Sequence, residues 1–321
     1  MRGRRKGTLV AESAESTRDV SRETSAVDAL DRDDLLSHDT PIARAARRAL
    51  DIRNGAVTMP APREPRVLCV ANQKGGVGKT TTTVNIGVAL ALGGLKVLVI
   101  DLDPQGNAST ALGVERTVGT PSIYEVLIGE IDARDAVQIC PDAPNLSCIP
   151  ATLDLAGAEI ELVSLVARES RLQKAIADIR ADYDYVFIDC PPSLGLLTVN
   201  AMVATSEVLI PIQCEYYALE GLGQLLRNID MVRKHLNPAI DLSTILLTMY
   251  DGRTKLADQV AAEVRSHFKE AVLTTVIPRS VKVSEAPGFG QSVLTYDPGS
   301  RGAMGYLDAA REIADYGAKE R

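Results

Sequence analysis

From position 66 onward, short apolar runs alternate with stretches whose apolar residues recur at helical spacing. The runs at 67–71, 97–100, 185–188, 208–212 and 244–247 are rich in Val, Ile and Leu and uninterrupted by charge. Strands covered on both faces of a parallel sheet read this way. Between or after them, residues 79–92, 172–181, 219–235 and 256–268 carry the three-to-four-residue apolar spacing of helices. The alternation predicts βαβ units and one doubly wound α/β domain over 66–321, with a mostly parallel sheet and helices on both faces. No internal repeat is visible.

Residues 1–65 differ in kind. They are rich in Arg, Asp, Glu, Ser and Ala, poor in large apolar residues, and close on Met59-Pro60-Ala61-Pro62-Arg63-Glu64-Pro65. Such a stretch buries too little surface to offset its ordering entropy, so it is expected to be mostly disordered. A short amphipathic helix around 41–53 is the one element it offers.

Composition narrows the picture. Aromatic residues make up 4% and Trp is absent, so small aliphatic side chains must fill the core. No apolar run approaches the roughly 20 residues of a membrane span, and the basic start Met1-Arg2-Gly3-Arg4-Arg5-Lys6 lacks the apolar stretch of a secretory signal. Five widely spaced cysteines form no C-x-x-C pair and fit reduced thiols of a cytoplasmic protein. The net charge of −7 gives no bulk attraction to nucleic acid, although a local basic patch would act within about 10 Å regardless.

The chemistry begins where the first apolar run meets Asn72-Gln73-Lys74-Gly75-Gly76-Val77-Gly78-Lys79-Thr80-Thr81, at the mouth of the first helix pattern. Glycines let successive backbone N–H groups curl around an anion, and a helix N-terminus adds partial positive charge. Lys79 would reach the β- and γ-phosphates of a nucleotide, and the Thr80 hydroxyl would ligate Mg²⁺. The strict motif G-x-x-x-x-G-K-[ST] wants glycine where Gln73 stands, and Lys74 is an extra charge. A dinucleotide-binding turn is the nearest competitor, but Thr81 occupies the place of its third glycine. Two further runs end in acids, at Asp101-Leu102-Asp103-Pro104-Gln105-Gly106-Asn107 and at Asp189-Cys190-Pro191-Pro192. Ligands of open α/β sheets gather at carboxyl ends of strands. Asp189 and Asp101 are therefore candidate Mg²⁺-side acids, and Asp103 is placed to orient an attacking water.

These segments, with Leu247-Thr248-Met249-Tyr250-Asp251-Gly252-Arg253-Thr254 and Val276-Ile277-Pro278-Arg279-Ser280-Val281, resemble the deviant-Walker P-loop ATPases, and within them the ParA/Soj partitioning proteins, over about 66–316. The resemblance implies ATP and Mg²⁺ as cofactors, with Lys74, Gly75, Gly76, Val77, Gly78, Lys79, Thr80 and Thr81 around the phosphates and Pro278 and Ser280 against the adenine. Many relatives carry Asn where Ser280 stands. It further implies that Lys74 contacts phosphate across a homodimer that sandwiches two ATP molecules, supplying in trans the charge of an arginine finger.

The resemblance also implies sequence-independent DNA binding by the ATP dimer through Arg253 and Lys282, with Arg279 and Arg301 as weaker candidates, and hydrolysis stimulated by a ParB-like centromere-binding partner on the nucleoid. Residues 251–321 hold ten Lys+Arg and ten Asp+Glu, so composition alone marks no basic domain. Two other classes compete. A membrane-cycling MinD-like protein would end in a basic amphipathic helix, whereas this chain ends in Ala314-Asp315-Tyr316-Gly317-Ala318-Lys319-Glu320-Arg321. A metabolic relative, an iron–sulfur electron donor or an ATP-dependent ligase, is suggested by Cys190, but no second cysteine stands ready for a bridging cluster.

Overall fold

The computed structural model describes residues 41–216 and 218–319. In chain order the elements are α1 (Pro41–Arg53), β1 (Arg66–Val70), α2 (Lys79–Leu92), β2 (Val97–Asp101), α3 (Asn107–Ala111), α4 (Ile123–Ile128), β3 (Gln138–Ile139), β4 (Leu146–Ile149), α5 (Leu155–Leu162) and α6 (Arg171–Ile176). They continue with β5 (Tyr185–Asp189), α7 (Leu196–Ala204), β6 (Glu207–Gln213), α8 (Ala218–His235), β7 (Asp241–Tyr250), α9 (Lys255–Phe268), β8 (Val272–Pro278), α10 (Val281–Glu285), α11 (Val293–Tyr296) and α12 (Arg301–Ala318).

Eight strands form one sheet in the order β3-β4-β2-β5-β1-β6-β7-β8. Every pairing is parallel except that of β3 with β4. Strands β1, β2 and β5 are buried along their whole length, because helices cover both faces. One apolar layer holds Val67, Leu98, Ile188 and Ile210, and the other holds Leu68, Val99, Phe187 and Leu209. Alternate residues of each strand thus feed opposite layers. The doubly wound α/β class expected from the alternation is the observed one.

That order places the chemistry. Strand β5 lies between β1 and β2, so the carboxyl ends of these three strands are neighbours. Asp189 pairs in register with Val70 on one side and with Asp101 on the other.

Of the extension expected over 1–65, residues 1–40 lie outside the described residues. The rest is described, and from residue 45 onward it packs on the sheet domain. Val57 and Met59 are buried, and the Met59 N–H donates to the Gly93 carbonyl at 3.0 Å. Gly93 has no side chain for a reason, since a Cβ there would lie 2.7 Å from Met59 Cγ. Arg48 in α1 pairs with Asp308 in α12 at 2.8 Å. These few apolar residues are spaced too sparsely to show as a periodic pattern. Among the described residues no helix is long and apolar enough to cross a membrane.

Candidate phosphate-binding site

The turn from β1 into α2 is where unspent backbone donors collect. Gly76 and Gly78 have φ of 74° and 92°, a left-handed backbone that favours glycine. Gly78 caps α2 without any side-chain acceptor, so the first-turn N–H groups are left for another partner. Thr248 braces the loop from β7, its hydroxyl donating to the Val77 carbonyl at 2.8 Å.

Over this turn lies a cavity of about 640 Å³. Gly75, Gly76, Gly78, Lys79, Thr80 and Thr81 line it from the loop, Asp103, Gln105 and Asn107 from the β2–α3 turn, and Pro192 and Met249 from the β5 and β7 ends. A second cavity of about 320 Å³ shares Gly78, Thr81 and Met249 and is walled by Pro278, Ser280 and Tyr306. The pair suits an elongated ligand with an anionic end and a flat, less polar one. Met249 itself sits at φ 50°, strained for a residue with a side chain.

Lys79 is 8% exposed. Among the described residues its ammonium reaches only the Lys74 carbonyl, at 3.5 Å, and burial holds its pKa below the ordinary lysine range, with Asp189 pulling the other way. A buried ammonium with one long bond has donors to spare, which a phosphate oxygen would satisfy.

The acids show the converse need. Asp189 is fully buried and accepts from the Thr80 and Thr83 hydroxyls at 2.7 and 2.9 Å. Asp101, beside it in register, accepts from the Ser109 N–H at 2.8 Å, the Ser109 hydroxyl at 2.6 Å and the Asp103 N–H at 3.3 Å. Burial pushes both carboxyls above the usual carboxylate range, and each raises the other or is raised by a neighbouring acid. No Lys or Arg bonds to either among the described residues. A cation held beside Thr80 would relieve that field. The donor set, hydroxyl and carboxylate oxygens, fits Mg²⁺, which keeps waters and phosphate oxygens as its other ligands. It needs no all-protein cage, and none of three or more His, Cys, Asp or Glu groups exists among the described residues.

Asp103 lines the cavity and is largely buried; its Oδ1 accepts from the Gln105 N–H at 3.0 Å. Lys74 is different. It is absent from the cavity wall, and its ammonium pairs with Glu215 at 3.2 Å, both side chains partly exposed. Gly75 is exposed with no atom within 4 Å of where a Cβ would stand.

The residues expected to meet DNA are paired within the chain. Arg253 is 88% exposed and grips Asp251 through two bonds of 2.8 and 2.7 Å. Lys282 bonds Glu285 at 2.9 Å and lies 5.6 Å over the Tyr296 ring. Arg279 is two-thirds exposed, 4.0 Å from Glu215, and Arg301 is exposed at the start of α12. All five cysteines are free and buried, so Cys190 offers no surface for a cluster shared between subunits.

Motif reading missed Thr83, Ser109, Thr248 and Met249. Thr83 left a trace as a fourth consecutive hydroxyl one helical turn after Lys79, and Thr248 and Met249 stand in the segment 247–254 that carries the resemblance, though with no role assigned there.

A family model described as an AAA domain matches residues 65–242. The sporulation initiation inhibitor protein Soj of Bacillus subtilis is 52% identical over 252 residues, 78% of this chain and 99% of that protein. The chromosome partitioning protein ParA of Caulobacter vibrioides is 54% identical over 250 residues, 77% of this chain and 93% of that one. A crystal structure of cobyrinic acid a,c-diamide synthase from Mycobacterium smegmatis, with bound ATP analogue and magnesium, superposes with a TM-score of 0.67 at 40% identity, covering 76% of this chain and 92% of that one. With half its aligned residues shared with Soj and ParA over nearly their full lengths, this chain belongs to the Soj/ParA family of chromosome-partitioning ATPases.

Proposed function

We propose that the chain works as two copies joined by ATP, that the joined form binds DNA without sequence preference in the cytoplasm, on the nucleoid, and that a ParB-like partner speeds the hydrolysis that separates them. The observation that carries this reading is the split between the two lysines of the loop. Lys79 is buried inside the chain's own cavity with donors to spare, whereas Lys74 holds its charge outside that cavity. A charge so placed serves a phosphate that another copy presents.

In this reading the first-turn N–H groups of α2 and Lys79 bind the β- and γ-phosphates. Thr80, Asp189 and Asp101 hold Mg²⁺, directly or through water. Bound Mg²⁺ supplies positive charge to the phosphate oxygens during transfer. Asp103 orients the attacking water, Lys74 meets the partner's ATP, and Pro278 and Ser280 flank the adenine. Arg253 and Lys282 turn toward DNA, exchanging Asp251 and Glu285 for phosphates.

The test is a DNA titration with ATP, with ADP and without nucleotide, repeated with a ParB-type protein from the same source. Binding only with ATP, weakening about tenfold or more between 50 and 200 mM salt, is the expected result. DNA binding indifferent to nucleotide would overturn the switch. Absence of DNA binding, with ATP consumed only alongside a carboxylic acid and an amine donor, would favour an amide-forming ligase like the 40% identical structure.

A further inference from the structure

The turn that carries Asp103 is clamped from outside by a side chain no motif points to. Between β2 and α3 the chain reverses through Asp103-Pro104-Gln105-Gly106. Inside the turn, the Gly106 N–H donates to the Asp103 carbonyl at 2.8 Å and the Gln105 N–H donates to Asp103 Oδ1 at 3.0 Å. The outer side is left bare at Gly106, whose φ is 62°.

Arg116 covers it. The chain leaves α3, reverses at Gly113 (φ 67°), and brings the guanidinium back. Nη1 donates to the Gly106 carbonyl at 3.1 Å and to the Thr110 hydroxyl at 2.9 Å. That hydroxyl donates to the same carbonyl at 2.9 Å. The guanidinium lies so close that a Cβ on Gly106 would stand 2.3 Å from its Cζ. The left-handed backbone favours glycine here, and the arginine occupies the space that a side chain would take. Gln105, Asn107 and Thr110 line the phosphate cavity while Arg116 does not. It can act on the site only indirectly, through the turn and Thr110.

We propose that Arg116 is a positioning residue for hydrolysis: it fixes the Asp103–Gly106 turn, and so the Asp103 carboxylate, without contributing to nucleotide affinity. The inference rests on the reading that Asp103 orients the attacking water. Helix α3 has five residues and cannot hold the turn by its own stability. The planar guanidinium bonds carbonyl and hydroxyl together, which a lysine does with less geometric precision. Misplacing a reacting group by about 1 Å costs on the order of 100-fold in rate.

The test uses the full chain with DNA present and steady-state ATP hydrolysis as readout, for Arg116→Ala, Arg116→Lys and Asp103→Ala. Arg116→Ala should lower kcat by about 10- to 100-fold with KM and melting temperature little changed, and Arg116→Lys should recover part of the loss. A normal kcat for Arg116→Ala beside an inactive Asp103→Ala overturns the positioning role and leaves the Asp103 reading standing. A loss shared by KM and melting temperature, with no recovery by lysine, reduces Arg116 to a fold contact. Normal turnover by Asp103→Ala overturns both.

Discussion

Gly75→Val separates what the loop does for its own chain from what it does for a second one. Nothing among the described residues objects to a side chain there. A Cβ at Gly75 would meet no atom within 4 Å, and its φ lies outside the left-handed region, unlike those of Gly76 and Gly78. Replacing glycine at a compatible position restricts the unfolded chain and gains about 0.4–1 kcal/mol. For a domain of this size each kcal/mol moves the melting temperature by roughly 2–4 °C, so the variant should melt unchanged or about 1–4 °C higher. Between two copies the balance reverses. In the proposed dimer each copy would insert a branched side chain where two backbones approach, at about 1–3 kcal/mol per overpacked site. The pair of sites costs the dimer about 2–6 kcal/mol, at least about 30-fold in association.

Light scattering at one protein concentration, with and without ATP, measures the second effect; thermal melts and ATP calorimetry measure the first. The expected variant is a stable monomer that binds ATP as the parent does. An ATP-dependent dimer of undiminished affinity would refute the face-to-face arrangement at Gly75. A melting temperature several degrees lower would mean the chain needs this glycine for itself. Gly76→Val is the control, because φ 74° forces a β-branched residue into a conformation costing about 1–2 kcal/mol and turns a phosphate-binding N–H. Its melting temperature and ATP affinity should fall together.

Three other perturbations test neighbouring parts of the site. Lys79→Ala should abolish ATP binding in calorimetry, since the remaining groups around the anion are backbone N–H donors and hydroxyls, and retained affinity would move the phosphates elsewhere. Asp103→Ala should bind ATP and dimerise yet turn over about 100-fold or more slowly, measured by phosphate release. Arg253→Glu should weaken DNA binding without touching ATP binding, and Asp251→Asn, which frees the guanidinium from its two bonds, should strengthen it. Equal DNA affinity across both changes would place the contact surface away from this loop.

Five strands were legible because each is covered on both faces and so reads as an unbroken apolar run. The missed strands lack that signature. β3 has two residues, β4 interrupts its four with Ser147, and β8 lies at the sheet edge with Thr274 exposed. Helix α12 was hidden by Gly302, Gly305 and Gly317, which read as breakers. In the fold, a Cβ on Gly302 would fall 2.4 Å from Val283 Cγ2, so glycine is the condition for α12 to approach α10. The helix expected over 172–181 stops at Ile176. There the chain tightens, with the Ile179 N–H donating to Ile176 and the Asp182 N–H to Ile179, before β5 begins. The loop glycines, Lys79 and the strand-end acids were legible because phosphate chemistry demands residue types at fixed local spacing. Thr83 on Asp189, and Thr248 on Val77, depend on pairings 106 and 171 residues apart, which no local pattern encodes.

The charges of the site supply a physical reason for the proposed tie between nucleotide and assembly. Among the described residues, Asp101 and Asp189 are buried side by side with hydroxyl and amide partners but no Lys or Arg bonded to them, and Lys79 is buried with no acceptor closer than 3.5 Å. Both arrangements burden a chain standing alone, because desolvated charge is costly unless paired. Mg²⁺ and a polyphosphate complement the two halves at once, so the single chain has reason to bind them tightly. Lys74 carries no such burden, being half exposed and already paired with Glu215. It gains by leaving Glu215 only if a denser negative charge is offered, and a partner's triphosphate is that charge. On the proposed reading, binding one nucleotide satisfies the inner lysine, and presenting it to a second copy recruits the outer one. An ADP site offers one phosphate fewer at the reacting end, which weakens the call on Lys74 before it weakens the hold of Lys79. On that reading the proposed dimer, rather than nucleotide binding itself, is the step most sensitive to hydrolysis.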